Sequence, residues 1–304
     1  MTCATVAAAK NSRNATGLDN PVVNHPSLSL EWQQWIRDNL VRGCTVPSMV
    51  EMMVQAGFDA RFAGECIANL QAGMIASDAR PAVPYVYEKP RFSMHGNVIV
   101  TADREVRVSM RMSRPVIAVL DDLFGMDECD ELVRLSRIKL QRSTIVDPLT
   151  GRETVIAERS SYGTFFNAGE TAFISQLEAR IATVMNWPAE NGEGLQILNY
   201  QVGAEYKPHF DYFPPGDPGS AVHLAKGGQR VSTLVIYLND VEGGGETMFP
   251  EVGISVTPKK GSAVYFEYCN SRGQIDPLSL HCGVPVVAGE KWIATKWMRE
   301  RRYG

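Results

Sequence analysis

The run LQILNYQVGAEYKPHFDYF, residues 195–213, decides how the chain is read. Leu195–Val202 has the composition of a strand, Gly203 breaks it, and Tyr206-Lys207-Pro208-His209-Phe210-Asp211 follows as a second extended segment. Successive side chains of an extended backbone point to opposite faces, so His209 and Asp211 are expected to project the same way. An imidazole beside a carboxylate is a weak signal alone, because polar pairs at strand ends are usually solvated. A third group adds weight: His281, in Leu280-His281-Cys282-Gly283, belongs to a later strand that can lie across a roll from the first pair. Two imidazoles and one carboxylate on one face of an octahedron leave sites open for other ligands, as in non-haem Fe(II) oxygenases, although the same three groups could hold zinc. The chain has 5 histidines, and the other three, His25, His95 and His223, are read as incidental.

From Asn191 onward the texture is strands separated by glycine and proline turns. Strands are expected at Leu195–Val202, Arg230–Leu238, near Glu246–Phe249, at Ser255–Val256, Ser262–Tyr268, Leu280–Val287 and Lys291–Arg299. Amphipathic helices are expected from an Asp127 cap to about Leu140 and over Glu170–Met185, with a strand at Arg159–Phe166 between them. The pattern indicates an α+β fold, an antiparallel sandwich or roll with helices packed outside it. Neither a G-x-G-x-x-G nor a Walker loop occurs, which leaves a nucleotide-binding fold unsupported.

Lys291 separates the metal readings. By period two it shares a face with Ile293, Thr295 and Trp297, while Trp292, Ala294, Lys296 and Met298 take the other. A lysine buried beside a metal is placed to bind the far carboxylate of a dicarboxylate cosubstrate whose other end chelates iron. Cys282 is expected to point away from the His281 face.

Upstream, residues 1–28 are small, polar and unpatterned and are expected to form a mobile arm. Residues 29–77 form a helical module. Its first helix carries Trp32, Trp35, Ile36 and Leu40 and stops at Gly43; a second follows Pro47; a third, near Ala60–Leu70, stops at Gly73. The methionines and tryptophans at helical spacing read as core. Pro81, Pro84 and Pro90 make 78–90 an extended linker, and 91–304 the main domain, with its strand-rich core at about 191–300. That domain opens with an expected hairpin, Asn97–Ala102 with Glu105–Met112.

A net charge of −4 argues against a broad grip on nucleic acid or anionic lipid, and no window is apolar enough for a membrane span. The 6 cysteines form no C-x-x-C pair and the N-terminus lacks a signal-peptide pattern, so a reduced, cytoplasmic protein is expected. Oligomeric state is left open.

Four runs carry a family resemblance: LQILNYQVGAEYKPHFDYF (195–213), GGQRVSTLVIYLNDVEGGGETMFPE (227–251), VTPKKGSAVYFE (256–267) and DPLSLHCGVPVVAGEKWIATKWMRE (276–300). Over roughly Pro115–Arg299 the chain resembles the prolyl 4-hydroxylase branch of the 2-oxoglutarate- and Fe(II)-dependent dioxygenases. The resemblance implies a double-stranded β-helix, or jelly roll, with His209, Asp211 and His281 on the iron and Lys291 on the far carboxylate of 2-oxoglutarate. It further implies that Thr247 and Tyr200 help hold that carboxylate and that Tyr206, Arg230 and Trp297 contact or orient substrate. Fe(II), 2-oxoglutarate and O2 are the implied cofactors and cosubstrates, with ascorbate as a candidate reductant. The implied reaction converts 2-oxoglutarate to succinate and CO2 while hydroxylating an unactivated aliphatic C–H in a prolyl or proline-like, small amino-acid-derived substrate, peptidyl or free. The loop Phe213–Gln229 is a candidate lid. A binding module that has lost turnover is a rival reading, against which the full set of four groups speaks; a zinc hydrolase is a third.

Overall fold

The computed structural model describes residues 28, 30–76, 84–147, 149–156, 159–214 and 216–304. The expected arm, apart from residue 28, and the linker up to residue 83 lie outside the described residues. The chain divides into two units, Met1–Pro84 and Tyr85–Gly304.

The first unit holds three helices, Leu30–Val41, Val46–Gln55 and Ala60–Ala76. Thr45 caps the second by accepting the Ser48 N–H on its hydroxyl, and Pro47 occupies the first turn, where no N–H is needed. Gly43, at φ 79°, takes the left-handed conformation that lets the chain leave the first helix. Trp35, Ile36, Met49, Met53, Ala63 and Ile67 are buried together, so the methionines and the tryptophan are core. The third helix runs through Gly73 to Ala76, past the stop expected there, since one glycine weakens a helix without ending it.

The second unit is built on two antiparallel sheets. The larger places its nine strands in the order 98–100, 105–113, 116–121, 263–267, 230–237, 291–299, 195–200, 162–166 and 141–142. The smaller orders 254–256, 247–249, 281–283 and 206–209. Leu195–Tyr200 and Lys291–Arg299 are buried along their whole length, as central strands covered on both faces must be. Ile174, Leu177 and Ile181 of the helix Ala172–Met185 and Leu132 of the helix Met126–Arg137 join strand residues such as Leu195, Ile197, Val264 and Phe266 in one core. This is the jelly roll with flanking helices that the resemblance implied. Among the described residues no helix is long and apolar enough to cross a membrane.

Three expectations change. Gly125, not Asp127, precedes the helix Met126–Arg137; the Glu128 carboxylate accepts the Gly125 N–H at 2.7 Å and Asp127 lies in the first turn. The strand expected over Leu280–Val287 breaks into His281–Gly283 and Val286–Ala288, because Pro285 has no N–H for a ladder. The second piece pairs with Gly243–Gly244. The expected lid loop contains a short helix, Ser220–Ala225.

Candidate active site

His209 and His281 lie opposite each other on neighbouring antiparallel strands of the smaller sheet. Asp211 sits beyond the end of the strand Tyr206–His209, in a bend, so strand alternation does not aim it. The Thr233 hydroxyl does, donating to Asp211 Oδ2 at 2.6 Å and meeting the Tyr268 hydroxyl at 3.1 Å. One ligand atom from each of His209, Asp211 and His281 falls within 4.8 Å of the others. His209 Nε2 is 3.7 Å from Asp211 Oδ1, and His281 Nε2 is 3.6 Å from Oδ2.

Both rings are oriented for metal ligation by their other nitrogen. His209 Nδ1 lies 2.8 Å from the Lys207 carbonyl and His281 Nδ1 lies 3.0 Å from the Ser279 carbonyl. A carbonyl only accepts, so each Nδ1 carries a proton, which makes Nε2 the nitrogen turned to a metal. Burial, reinforced by His281, pushes the pKa of His209 down to about 3, which leaves its ring neutral. Burial pushes Asp211 upward, but His281, His209, Arg230 and the Thr233 hydroxyl outweigh it and bring the carboxyl down to about 2. Two imidazoles and one carboxylate are the donor set that Fe(II) takes in facial-triad sites, and these residues fit it.

The cavity beside the three ligands lies between the two sheets. Its wall includes His209, His281 and Thr247 from the smaller sheet and Leu198, Tyr200, Val235 and Lys291 from the larger. The face read from the sequence, Lys291, Ile293, Thr295 and Trp297, lines it throughout. Lys291 is 2% exposed, pairs across the ladder with Tyr200, and makes no ion pair among the described residues. Burial pushes its pKa down to about 8, against the pull of Cys282 and Glu246. A buried ammonium without a carboxylate fits an anionic ligand end, so the cavity suits a chelating dicarboxylate as well as the metal.

Thr247 and Tyr200 stand at the lysine end. The Tyr237 hydroxyl donates to Thr247 Oγ1 at 2.8 Å, which leaves the Thr247 hydroxyl proton to be donated elsewhere. At the other side Tyr206 stacks on His209 with ring centroids 3.5 Å apart. The Trp297 indole N–H is buried and has no partner among the described residues. Arg230, expected to contact or orient substrate, is held on Glu193 and the Asp211 backbone: Nε and Nη2 bind the two Glu193 oxygens at 2.6 and 2.8 Å, and Nη1 reaches the Asp211 carbonyl at 3.3 Å. Its guanidinium lies 3.9 Å from the Trp297 ring centroid and is not part of the cavity wall.

The sequence reading missed Arg159, Thr233, Tyr237 and Glu193. Arg159 lines the cavity over the Tyr206 ring, with Nη1 on the Thr144 carbonyl, Nη2 on Gln196 and Nε unpartnered. Thr233 and Tyr237 share the strand face of Val235, a signal that alternation could have supplied. Cys282 also lines the cavity, contrary to the expected outward direction, because the register shifts between His281 and Gly283 and alternation fails there.

Residues 195–299 match the family model described as the 2OG-Fe(II) oxygenase superfamily. Probable prolyl 4-hydroxylase 10 of Arabidopsis thaliana is 38% identical over 208 residues, which span 62% of this chain and 70% of that protein. Prolyl 4-hydroxylase 1 of the same plant is 43% identical over 202 residues, with the same two coverages. The crystal structure of a viral collagen prolyl hydroxylase from Paramecium Bursaria Chlorella virus-1, in its 2OG complex, aligns at 29% identity and a TM-score of 0.48, covering 60% of this chain and 95% of that one. Identity at this level over more than two thirds of the plant enzymes makes the protein a hydroxylating dioxygenase that uses Fe(II), 2-oxoglutarate and O2, and it belongs to the prolyl 4-hydroxylase branch of the 2-oxoglutarate- and Fe(II)-dependent oxygenases.

Proposed function

We propose that the protein hydroxylates an unactivated aliphatic C–H of a prolyl or proline-like residue, with His209, Asp211 and His281 holding iron and Lys291 anchoring the far carboxylate of 2-oxoglutarate. The observation that carries this reading is a buried lysine, without an ion pair among the described residues, in the same cavity wall as three converging ligand atoms. A zinc hydrolase has no use for that cation. Iron and 2-oxoglutarate, when bound, supply the oxidising chemistry, in which O2 is consumed, succinate and CO2 are released and one substrate C–H becomes C–OH.

The chain's own residues position and exclude. Lys291 binds by charge, and Thr247 adds a hydroxyl donor while Tyr200 closes the wall beside it. Leu198, Val235 and Ile293 line the cavity with hydrocarbon that keeps water out. The Trp297 indole N–H and the Arg159 Nε–H are buried donors with no partner among the described residues, suited to carbonyl oxygens of the kind that flank a prolyl residue in a peptide. Tyr206, stacked on His209, sets one side of the space the substrate ring would enter.

The test is succinate formation, dependent on Fe(II), 2-oxoglutarate and O2, against a panel of prolyl peptides and free cyclic amino acids, with mass spectrometry for one added oxygen. Turnover of a peptide or a free amino acid names the class; turnover of neither sinks the reading.

A further inference from the structure

The segment after the first unit, Tyr85–Phe92, has no regular secondary structure, with Pro84 before it and Pro90 within it, yet it is bound at many points. The Val86 N–H donates to Gln274 Oε1 at 3.1 Å, and Asn270 Nδ2 donates to the Val86 carbonyl at 3.0 Å. The Glu88 carboxylate accepts the Ser271 N–H and hydroxyl. The N–H groups of Arg91 and Phe92 both reach Glu267 Oε1. A strap of extended chain therefore fastens the loop that follows the strand Ala263–Glu267, and that loop leads to His281.

One side chain of the strap reaches deeper. The Tyr87 phenol stands beside the carboxylate of Asp276, whose charge acts on it and which is 1% exposed. Asp276 Oδ1 accepts the Leu278 N–H at 2.9 Å, and its carbonyl accepts the Ser279 N–H at 3.2 Å and the Ser279 hydroxyl at 2.7 Å. These bonds close the short turn Pro277–Ser279. The Ser279 carbonyl left by that turn is the group that orients His281 Nδ1 at 3.0 Å. The Asp276 N–H in turn binds the Tyr268 carbonyl at 2.9 Å, and the Tyr268 hydroxyl contacts Thr233, the donor to Asp211. A buried carboxylate at this spot serves no ion pair among the described residues; its hydrogen bond goes to the turn, and the tyrosine stands beside it.

We propose that Tyr87 and Asp276 are positioning residues for the metal site: the tyrosine fixes the Asp276 carboxylate, the carboxylate fixes the 277–279 turn, and the turn's carbonyl fixes the His281 imidazole. This rests on the metal reading of His209, Asp211 and His281. Tyr87 lies outside the 195–299 segment that matches the family model, so the strap is part of what makes this chain's site.

The experiment is a Co(II) titration of the metal-free full chain, followed by visible absorption, for the wild type, Tyr87→Phe, Asp276→Ala and the double variant, with melting curves alongside. Asp276→Ala is expected to weaken Co(II) binding roughly tenfold, in line with the loss of groups that orient a ligand, and Tyr87→Phe several-fold. The double variant should be no worse than Asp276→Ala, because the tyrosine acts through the carboxylate. A folded Asp276→Ala protein with wild-type Co(II) affinity and spectrum overturns the proposal, as do additive losses in the double variant. If Asp276→Ala does not fold, Tyr87→Phe decides, since it removes a single hydroxyl; unchanged affinity there overturns the proposal too. A wild type that binds no Co(II) instead overturns the metal reading on which this one stands.

Discussion

Lys291 lies directly across the strand ladder from Tyr200, its ammonium 5.4 Å from the tyrosine ring centroid and 5.9 Å from that of Tyr237, with no ion pair among the described residues. The site thus keeps a charge that the folded protein alone does not compensate. For a base, a pKa lowered from 10.5 to about 8 means that the native state holds the proton less tightly than the unfolded chain. The destabilisation is full below pH about 8 and disappears above the unfolded value. Lys291→Met, of similar shape, should therefore be more stable than the wild type at pH 7 by up to about 3 kcal/mol, the free energy equivalent of that drop. The gap should close as the pH approaches 10.5. Urea unfolding of the metal-free proteins at pH 7 and pH 10 checks this; a variant less stable at pH 7 refutes it.

The same titration sets the pH range of cosubstrate binding. Only the ammonium form attracts a carboxylate, so 2-oxoglutarate affinity, measured by calorimetry with a redox-inert divalent metal, should be level from pH 6.5 to about 8 and fall by up to tenfold per pH unit above it. Lys291→Arg should bind more weakly because its fork has different reach, but with no fall in this range, since guanidinium stays charged. A wild-type profile that is level to pH 9.5 would show that Lys291 does not contact the ligand.

Thr233 is the hydroxyl that aims Asp211. Thr233→Val keeps the shape and removes the donor, leaving Asp211 Oδ2 without its 2.6 Å bond. Metal affinity should drop roughly tenfold, with Thr233→Ser restoring most of it. Equal Co(II) dissociation constants for Val and Thr would show that the bend alone places the carboxylate.

What could be read from the sequence followed the length of unbroken secondary structure. Alternation puts Lys291, Ile293, Thr295 and Trp297 on one face, and all four line the cavity because pairing is regular from Lys291 to Trp297, the one register shift lying opposite Met298 and Arg299. Alternation failed for Asp211 and Cys282, which sit where a strand ends or slips. Asp211 takes its direction from Thr233 on another strand, a relationship that no local spacing encodes. Arg159 reaches the cavity through a single bridge to Tyr206. Residues 84–92 have neither helix nor strand, and their partners, such as Glu267 for Arg91, lie 176 residues away in sequence and emerge only when the sheet is assembled.

Trp297 gives the clearest handle on substrate. Its ring lines the cavity and is held against the Arg230 guanidinium, while its buried indole N–H has no partner among the described residues. Trp297→Phe keeps an aromatic face for Arg230 and deletes the donor. If that N–H meets a substrate carbonyl, the variant should lose about five- to tenfold in kcat/KM for the substrate, the worth of one neutral hydrogen bond, mostly through KM. The KM for 2-oxoglutarate should not move, because the lysine end of the cavity is untouched. A loss shared equally by both KM values would instead mean that the tryptophan supports the cavity as a whole, and that Arg159 is the remaining donor for the substrate.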